Sequence, residues 1–348
     1  MVEVWYGIIA VMLTLYVVMD GFDLGAGALH LLVAHTNDER RQVLSAIGPY
    51  WDANEVWLIA AGGALFVAFP AVLASGLSGF YFALFLVLWC LILRGVAIEF
   101  RGHVQNDLWR AFWDRGFSAG SILLAIFFGV ALGNLLRGVP LGSSGWFALT
   151  LFTDFSARAP QGILDWYTIL VALFALIVLM GHGAAFLAWK ADGVVHERSR
   201  RLTWRLYLLV GVLWPVLTVI TSIMQPAMWH AFLSRPLAWL LGTAALAGFA
   251  AVFVCTRRQH ALSAFAGSSA FLGALMLATA TCLFPVMLRS ADNASLSLTA
   301  YNSSTDAHGL RIALAWWVIG FPLAVLYFVV IFRLHRGKAT TAGEGEGY

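Results

Sequence analysis

The sequence predicts an all-α polytopic membrane protein of nine transmembrane helices, and three observations carry that expectation. Of 348 residues, 61% are hydrophobic and 11% are charged, and a soluble fold has nowhere to bury so much apolar surface. Mainly apolar stretches of bilayer-crossing length, about 20 residues, follow one another from Val4 to Leu334. These stretches do not alternate polar and apolar residues as barrel strands do. An unpaired backbone group in hydrocarbon costs several kcal/mol, so helices are the remaining way across.

The first expected span, 4–33, starts behind a short segment without a basic stretch or cleavage site, so it reads as a retained anchor. Spans two and three, 47–73 and 76–100, follow closely and carry most of the membrane-depth charge. Span four, 117–138, leads into a long loop, 139–161, containing Gly142-Ser-Ser-Gly145. Span five, 162–188, holds His182 among small residues, and spans six and seven, 203–226 and 236–255, are joined by a short connection. Span eight, 261–287, precedes a second long loop, 288–310, rich in Ser, Asn, Thr and Asp, and span nine is 311–334. Both long loops read as solvated connectors, with cover over a partner or a quinone entrance as the other reading. Residues 1–334 thus form one integral membrane domain, and 335–348 read as a polar, disordered tail.

Lysine and arginine sort by side. Fourteen lie in or beside the loops after odd-numbered spans, among them Arg40, Arg41, Arg101, Lys190 and Arg200. The opposite loops hold five: Arg137, Arg158, Arg235, Arg289 and Arg311. The positive-inside rule puts the amino terminus outside and the carboxyl terminus in the cytoplasm, as nine spans require. The net charge of +3 is therefore an orientation signal and calls for no nucleic acid partner. Cys90, Cys255 and Cys282 are far apart in apolar surroundings and read as packing residues, without the spacing of a metal site.

A charge at membrane depth costs at least about 2.5–3.5 kcal/mol, so each needs a partner, water or a function. Asp20, Asp23, Gly27 and His30 recur at offsets that share one helical face, with Gly21 and Gly25 beside them for close helix approach. Span two opens with Trp51, Asp52, Asn54, Glu55 and Trp57, with both acids on one face. Span three ends with Arg94 and Glu99, and Arg94 is a deep cation whose partner the spacing leaves open among Asp23, Asp52 and Glu99. In the assigned orientation all these charges lie in the cytoplasmic half, where carboxyl groups in partly dry surroundings form a proton entry. A static cluster that fixes helix register is the competing reading. His182 and His30 are the obvious membrane histidines for a haem, and hydrogen-bonded packing is the expected role of His182.

The motifs Asp20-Gly-Phe-Asp-Leu-Gly-Ala-Gly27, Gly48-Pro-Tyr-Trp-Asp-Ala-Asn-Glu-Val-Trp57 and Leu93-Arg-Gly-Val-Ala-Ile-Glu-Phe-Arg101 resemble subunit II of cytochrome bd quinol oxidases, and the likeness extends over nearly the whole chain. The resemblance implies two four-helix bundles plus a peripheral helix in a bacterial inner membrane. It implies a partner, subunit I, holding the b-type haems, haem d and the quinol site, with no haem ligand and no metal site on this chain. Small accessory subunits, lipids and quinone are further expected contacts. The complex would oxidise quinol, reduce dioxygen to water and take protons from the cytoplasm. The family's acidic positions fall on Asp23, Asp52 and Glu99 here, and the proton path would include Asp20 and Glu55 with Arg94, Asn54 and Trp51 in support. A proton-coupled secondary transporter is the alternative, because buried acids in glycine-interrupted helices also suit a midplane substrate site.

Overall fold

The computed structural model describes residues 1–157 and 160–339, so Arg158 and the polar tail from 340 onward lie outside the described residues. The chain runs α1 (Val2–Val33), α2 (Asn37–Ile47), α3 (Trp51–Ala68), α4 (Pro70–Gly79), α5 (Tyr81–Phe100) and α6 (Asp107–Arg137). A looped segment with β1 (Thr150–Phe152) and β2 (Gly162–Leu164) leads to α7 (Trp166–Lys190), α8 (Gly193–Met224), α9 (Pro226–Ser234), α10 (Pro236–Arg257) and α11 (Ala261–Leu283). After β3 (Val286–Leu288) and β4 (Leu298–Thr299), α12 (Ala307–Leu334) completes the order. The protein is an all-α polytopic membrane protein. Among the described residues eight helices are long and apolar enough to cross a bilayer: α1, α5, α6, α7, α8, α10, α11 and α12. The expected span that does not join them by length and composition is α3, whose 18 residues include Asp52, Asn54 and Glu55.

The expected second span is divided. Phe69 ends α3 by donating its amide to the Leu65 carbonyl, and Pro70 opens α4 at the position where a missing N–H costs nothing. Residues 37–47, expected to be part of a loop, form α2, capped by the Thr36 hydroxyl accepting the Glu39 amide at 3.3 Å. Its Val43, Leu44 and Ile47 are buried. Span four begins ten residues earlier than its apolar stretch, because Asn106 caps α6 by accepting the amides of Leu108 and Trp109. Span eight ends at Leu283, after which cis Pro285 leads into β3.

The two long loops are not independent connectors. β1 pairs parallel with β2, with Thr150 opposite Gly162, and β3 pairs antiparallel with β4. The Val139 amide donates to the Arg289 carbonyl and the Ala291 amide to the Val139 carbonyl, joining the two loops. Val139, Leu141, Phe147 and Leu288 bury one another there.

At the centre, α1 packs on α3, α6, α7 and α11. Its crossing with α7 depends on Gly25 and Gly183: a side chain at either would run into the other helix's backbone. By contrast α12 buries only Leu310 of its own length, and touches α3 where Phe328 stacks on Trp57 at 5.4 Å. Behind it, residues 335–339 dock on the end of α7, as Lys190 Nζ donates to the His335 carbonyl at 2.6 Å and the Ala339 amide to the Lys190 carbonyl.

Candidate functional site

Helix α1 places Asp20 and Asp23 on one face by helical period, and α5 brings Arg94 against them. Gly120 of α6 lets that helix lie close to the backbone of Cys90 and Arg94. Arg94 Nη2 donates to Asp20 Oδ1 at 2.6 Å and Nη1 to Asp20 Oδ2 at 3.0 Å, a two-bond fork that a planar guanidinium makes and an ammonium cannot. Both side chains are completely buried. Nη1 also lies 3.4 Å from Glu55 Oε1, and Glu55 is the partly open member, with 24% of its side chain exposed.

Beside this pair, Asn54 Nδ2 donates to Asp23 Oδ2 at 2.6 Å and to the Met19 carbonyl at 3.2 Å. Asp23 and Asn54 are also fully buried. Three carboxyl groups therefore gather about one guanidinium. Among the described residues Asp23 Oδ1, Asn54 Oδ1, Arg94 Nε, Tyr16 Oη and Trp57 Nε1 have no hydrogen-bond partner. Buried polar groups are nearly always hydrogen-bonded, so these atoms call for water or for another chain.

The remaining expected residues stand around this cluster. Asp52 is exposed in the first turn of α3, one turn before Glu55, and Trp51 is buried with its ring against Gly95 of α5. Glu99 is exposed near the end of α5, and its carbonyl accepts from His103 Nδ1 at 2.9 Å if that nitrogen carries the proton. The ion-pair partners of Arg94 are thus Asp20 and Glu55, where helical spacing leaves Asp23, Asp52 and Glu99 open.

Residues 1–335 match the family of cytochrome bd terminal oxidase subunit II. The chain belongs to this family. It is 31% identical to the cytochrome bd-I ubiquinol oxidase subunit 2 of Escherichia coli K12, over 97% of this chain and 94% of that one. With the cytochrome bd ubiquinol oxidase subunit 2 of Bacillus subtilis strain 168 the identity is 29%, over 89% and 88% of the two chains. A chain of the bd oxidase of Geobacillus thermodenitrificans has the same fold, with a TM-score of 0.69 at 17% identity, covering 96% of this chain and 98% of that one. A subunit II of an oxidoreductase complex, seated in the inner membrane by many passes, is what the long apolar helices and the family match describe.

Two polar networks of this subunit II have little trace in the sequence. Asp114 of α6 is gripped by three side chains: Arg101 Nε donates to Oδ1 at 2.5 Å and Nη2 to Oδ2 at 3.3 Å, Arg40 Nη1 reaches Oδ2 at 3.1 Å, and His30 Nε2 lies 2.7 Å from Oδ1. Arg101 also donates to Asn37 Oδ1 at 2.9 Å. His30, which shares a helical face with Asp20 and Asp23 by spacing, is thus committed to α6. Near it, outside the spans, the His35 amide and then Arg198 hold the Glu39 carboxyl below its usual range. The sole signal for the Asp114 network is a lone acid just outside an apolar run.

The second network surrounds His182. Its Nδ1 is 2.5 Å from Ser268 Oγ, its Nε2 is 2.9 Å from the Val18 carbonyl, and Tyr207 Oη donates to the same serine at 2.7 Å. The imidazole also stacks on Phe265 at 5.0 Å. With both ring nitrogens engaged, His182 does not fit the role of an iron ligand. Among the described residues no three His, Cys, Asp or Glu side chains are grouped to hold a metal.

Proposed function

We propose that this subunit II provides a path for protons from the cytoplasm to the haem-bearing subunit I of a quinol oxidase that reduces dioxygen to water. In this reading α3 is the ninth span, crossing with α4 as a broken pair, and its polarity is tolerable because it faces protein. One bundle is α1, α3, α5 and α6, the other is α7, α8, α10 and α11, and α12 is peripheral. The amino terminus is outside. The haems and the quinol site belong to subunit I, and this chain contributes side chains and water positions.

The observation that carries the proposal is the excess of buried carboxyl groups over cations around Arg94. Asp20, held by two bonds, is the counter-ion of Arg94. Asp23 and Glu55 are the carriers: among the described residues Asp23 Oδ1 has no hydrogen-bond partner, and Glu55 Oε1 has only its 3.4 Å ion pair with Arg94. Asn54 keeps Asp23 turned toward α3. Asp52, exposed one turn before Glu55, is the entry, and its exposed face is the one that subunit I covers. An uncovered carboxylate at membrane depth would be too costly.

Asp23→Asn and Asp52→Asn in the intact complex test this. The expected result is lower quinol-dependent oxygen consumption and lower proton uptake in vesicles, with the haem absorption spectrum retained. Unchanged turnover and uptake in both variants would make the cluster a structural feature. Loss of the haem d band with the chain still assembled would make it an assembly element.

A further inference from the structure

A second charged site lies away from the acidic cluster, where α8 meets the end of α10. A cavity of about 230 Å³ is walled by Arg200, Arg201, Trp204, Arg205, Thr256 and Arg257. Glu197 takes one bond from Arg200 Nη2 at 3.0 Å, and His196 stands 3.9 Å from the same carboxyl group. Among the described residues no carboxylate pairs with Arg201, Arg205 or Arg257. The guanidinium of Arg257 instead lies 4.6 Å over the Trp204 ring, which fixes it at the rim. Two buried polar atoms of the lining, Arg200 Nε and Thr256 Oγ1, have no hydrogen-bond partner among the described residues. Three cations without a carboxylate at ion-pair distance among the described residues, with two unused donors, form a receptor for an oxyanion, and guanidinium forks match phosphate oxygens.

The surroundings name the source of that anion. Arg201, Arg205, Leu208 and Val212 follow at helical spacing along one face of α8, so two cations stand directly above two apolar side chains. Leu208 and Val212 are 50% and 62% exposed, and Val254, about a turn before Arg257 on α10, is 47% exposed. A soluble phosphate would use the cations and leave this apolar stripe uncovered. A phospholipid uses both, with its phosphate among the arginines and its acyl chain along the stripe. We infer that this cavity binds the phosphate headgroup of an anionic phospholipid, in the cytoplasm-facing leaflet for the orientation proposed above. Basic pockets between helices on that side are suited to such headgroups.

The experiment is native mass spectrometry of the purified, delipidated two-subunit complex titrated with phosphatidylglycerol or phosphatidylcholine. Wild type is expected to retain phosphatidylglycerol in preference to phosphatidylcholine. Each surface arginine contributes about fivefold in affinity, so Arg201→Gln with Arg205→Gln should weaken phosphatidylglycerol retention on the order of 25-fold. Millimolar inorganic phosphate should not displace the lipid. Unchanged retention by the double variant, or equal retention of phosphatidylcholine, overturns the inference, and displacement by inorganic phosphate reassigns the site to a soluble anion. Should the double variant not assemble, a photoactivatable phosphatidylglycerol on the wild-type complex decides. Cross-links to residues 200–212 or 254–257 support the site, and cross-links only elsewhere refute it.

Discussion

Replacing Arg94 with glutamine removes one cation and strands two carboxyl groups. Asp20 loses a fork of 2.6 and 3.0 Å in a place with no exposed surface, and Glu55 loses its ion pair at 3.4 Å. Breaking a buried pair from one side costs about 3–5 kcal/mol, a large part of the roughly 5–15 kcal/mol that holds a folded domain. At about 1.4 kcal/mol per decade this is about two to four orders of magnitude in the folding equilibrium. Arg94→Lys keeps the charge without the fork and should fall between. The decisive variant is Arg94→Gln with Asp20→Asn, which buries two amides and no unpaired ion at that pair. It should recover about 2–3 kcal/mol relative to the sum of the single losses. Denaturant titration of the intact complex, followed by far-ultraviolet circular dichroism, compares the variants with wild type. Additive losses, or an Arg94→Gln complex as stable as wild type, would refute the reasoning.

Two further outcomes rest on other elements. Ser268→Ala leaves His182 Nδ1 and Tyr207 Oη, both completely buried, without their shared partner, and should cost about 1–3 kcal/mol per orphaned group. The same titration reads it, and an unshifted midpoint would show the hydroxyl to be dispensable. Asp306, outside α12, accepts the amides of Gly309 and His308, which hold its carboxyl below its usual range. A depressed pKa means that the stability it gives is present above the ordinary carboxylate value and is lost as pH falls through the folded-state value. The gap in melting midpoint between wild type and Asp306→Ala should therefore persist at neutral pH and close below about pH 4. A gap independent of pH would exclude the charge.

What the sequence revealed and what it hid follow from one property of hydropathy. An apolar run marks where a helix touches lipid or core, so the long spans were legible, but a helix continuing into polar surroundings was not. α6 extends to Asp107 and α8 to Gly193 for that reason, and α2 was invisible because its buried residues are a short run, Val43 to Ile47, behind the charged stretch that holds Arg40 and Arg41. The acidic cluster was legible in membership, because helical period and orientation together bring Asp20, Asp23, Asn54, Glu55 and Arg94 to one depth. Its wiring was not. Whether Arg94 meets Asp20 or Asp23 depends on the rotation of α5 about its own axis, which side-chain packing such as Gly120 against Cys90 decides. Asp114 was illegible, since its partner His30 lies 84 residues away and its own helical turn looks like loop.

The two clusters, compared, separate a lock from a path. At Asp114 one carboxylate meets two arginines and a histidine, and both oxygens are bonded. This suits the fastening of four helices, with both carboxylate oxygens satisfied and charge compensated in excess, although His30 Nδ1 and Arg40 Nε have no hydrogen-bond partner among the described residues. Around Arg94 the stoichiometry is reversed, with three carboxyl groups to one guanidinium, an Asp23 oxygen without a hydrogen-bond partner among the described residues, and a Glu55 oxygen held only by a 3.4 Å ion pair. A lock built that way would sacrifice stability for nothing, because replacing the surplus acids by apolar residues of similar volume would fasten the helices at least as well. The proposed proton path gives these surplus protonatable groups a use that a lock does not. In that proposal the partly open Glu55 and the exposed Asp52 set the direction, from Asp52 one turn along α3 to Glu55 and on to Asp23.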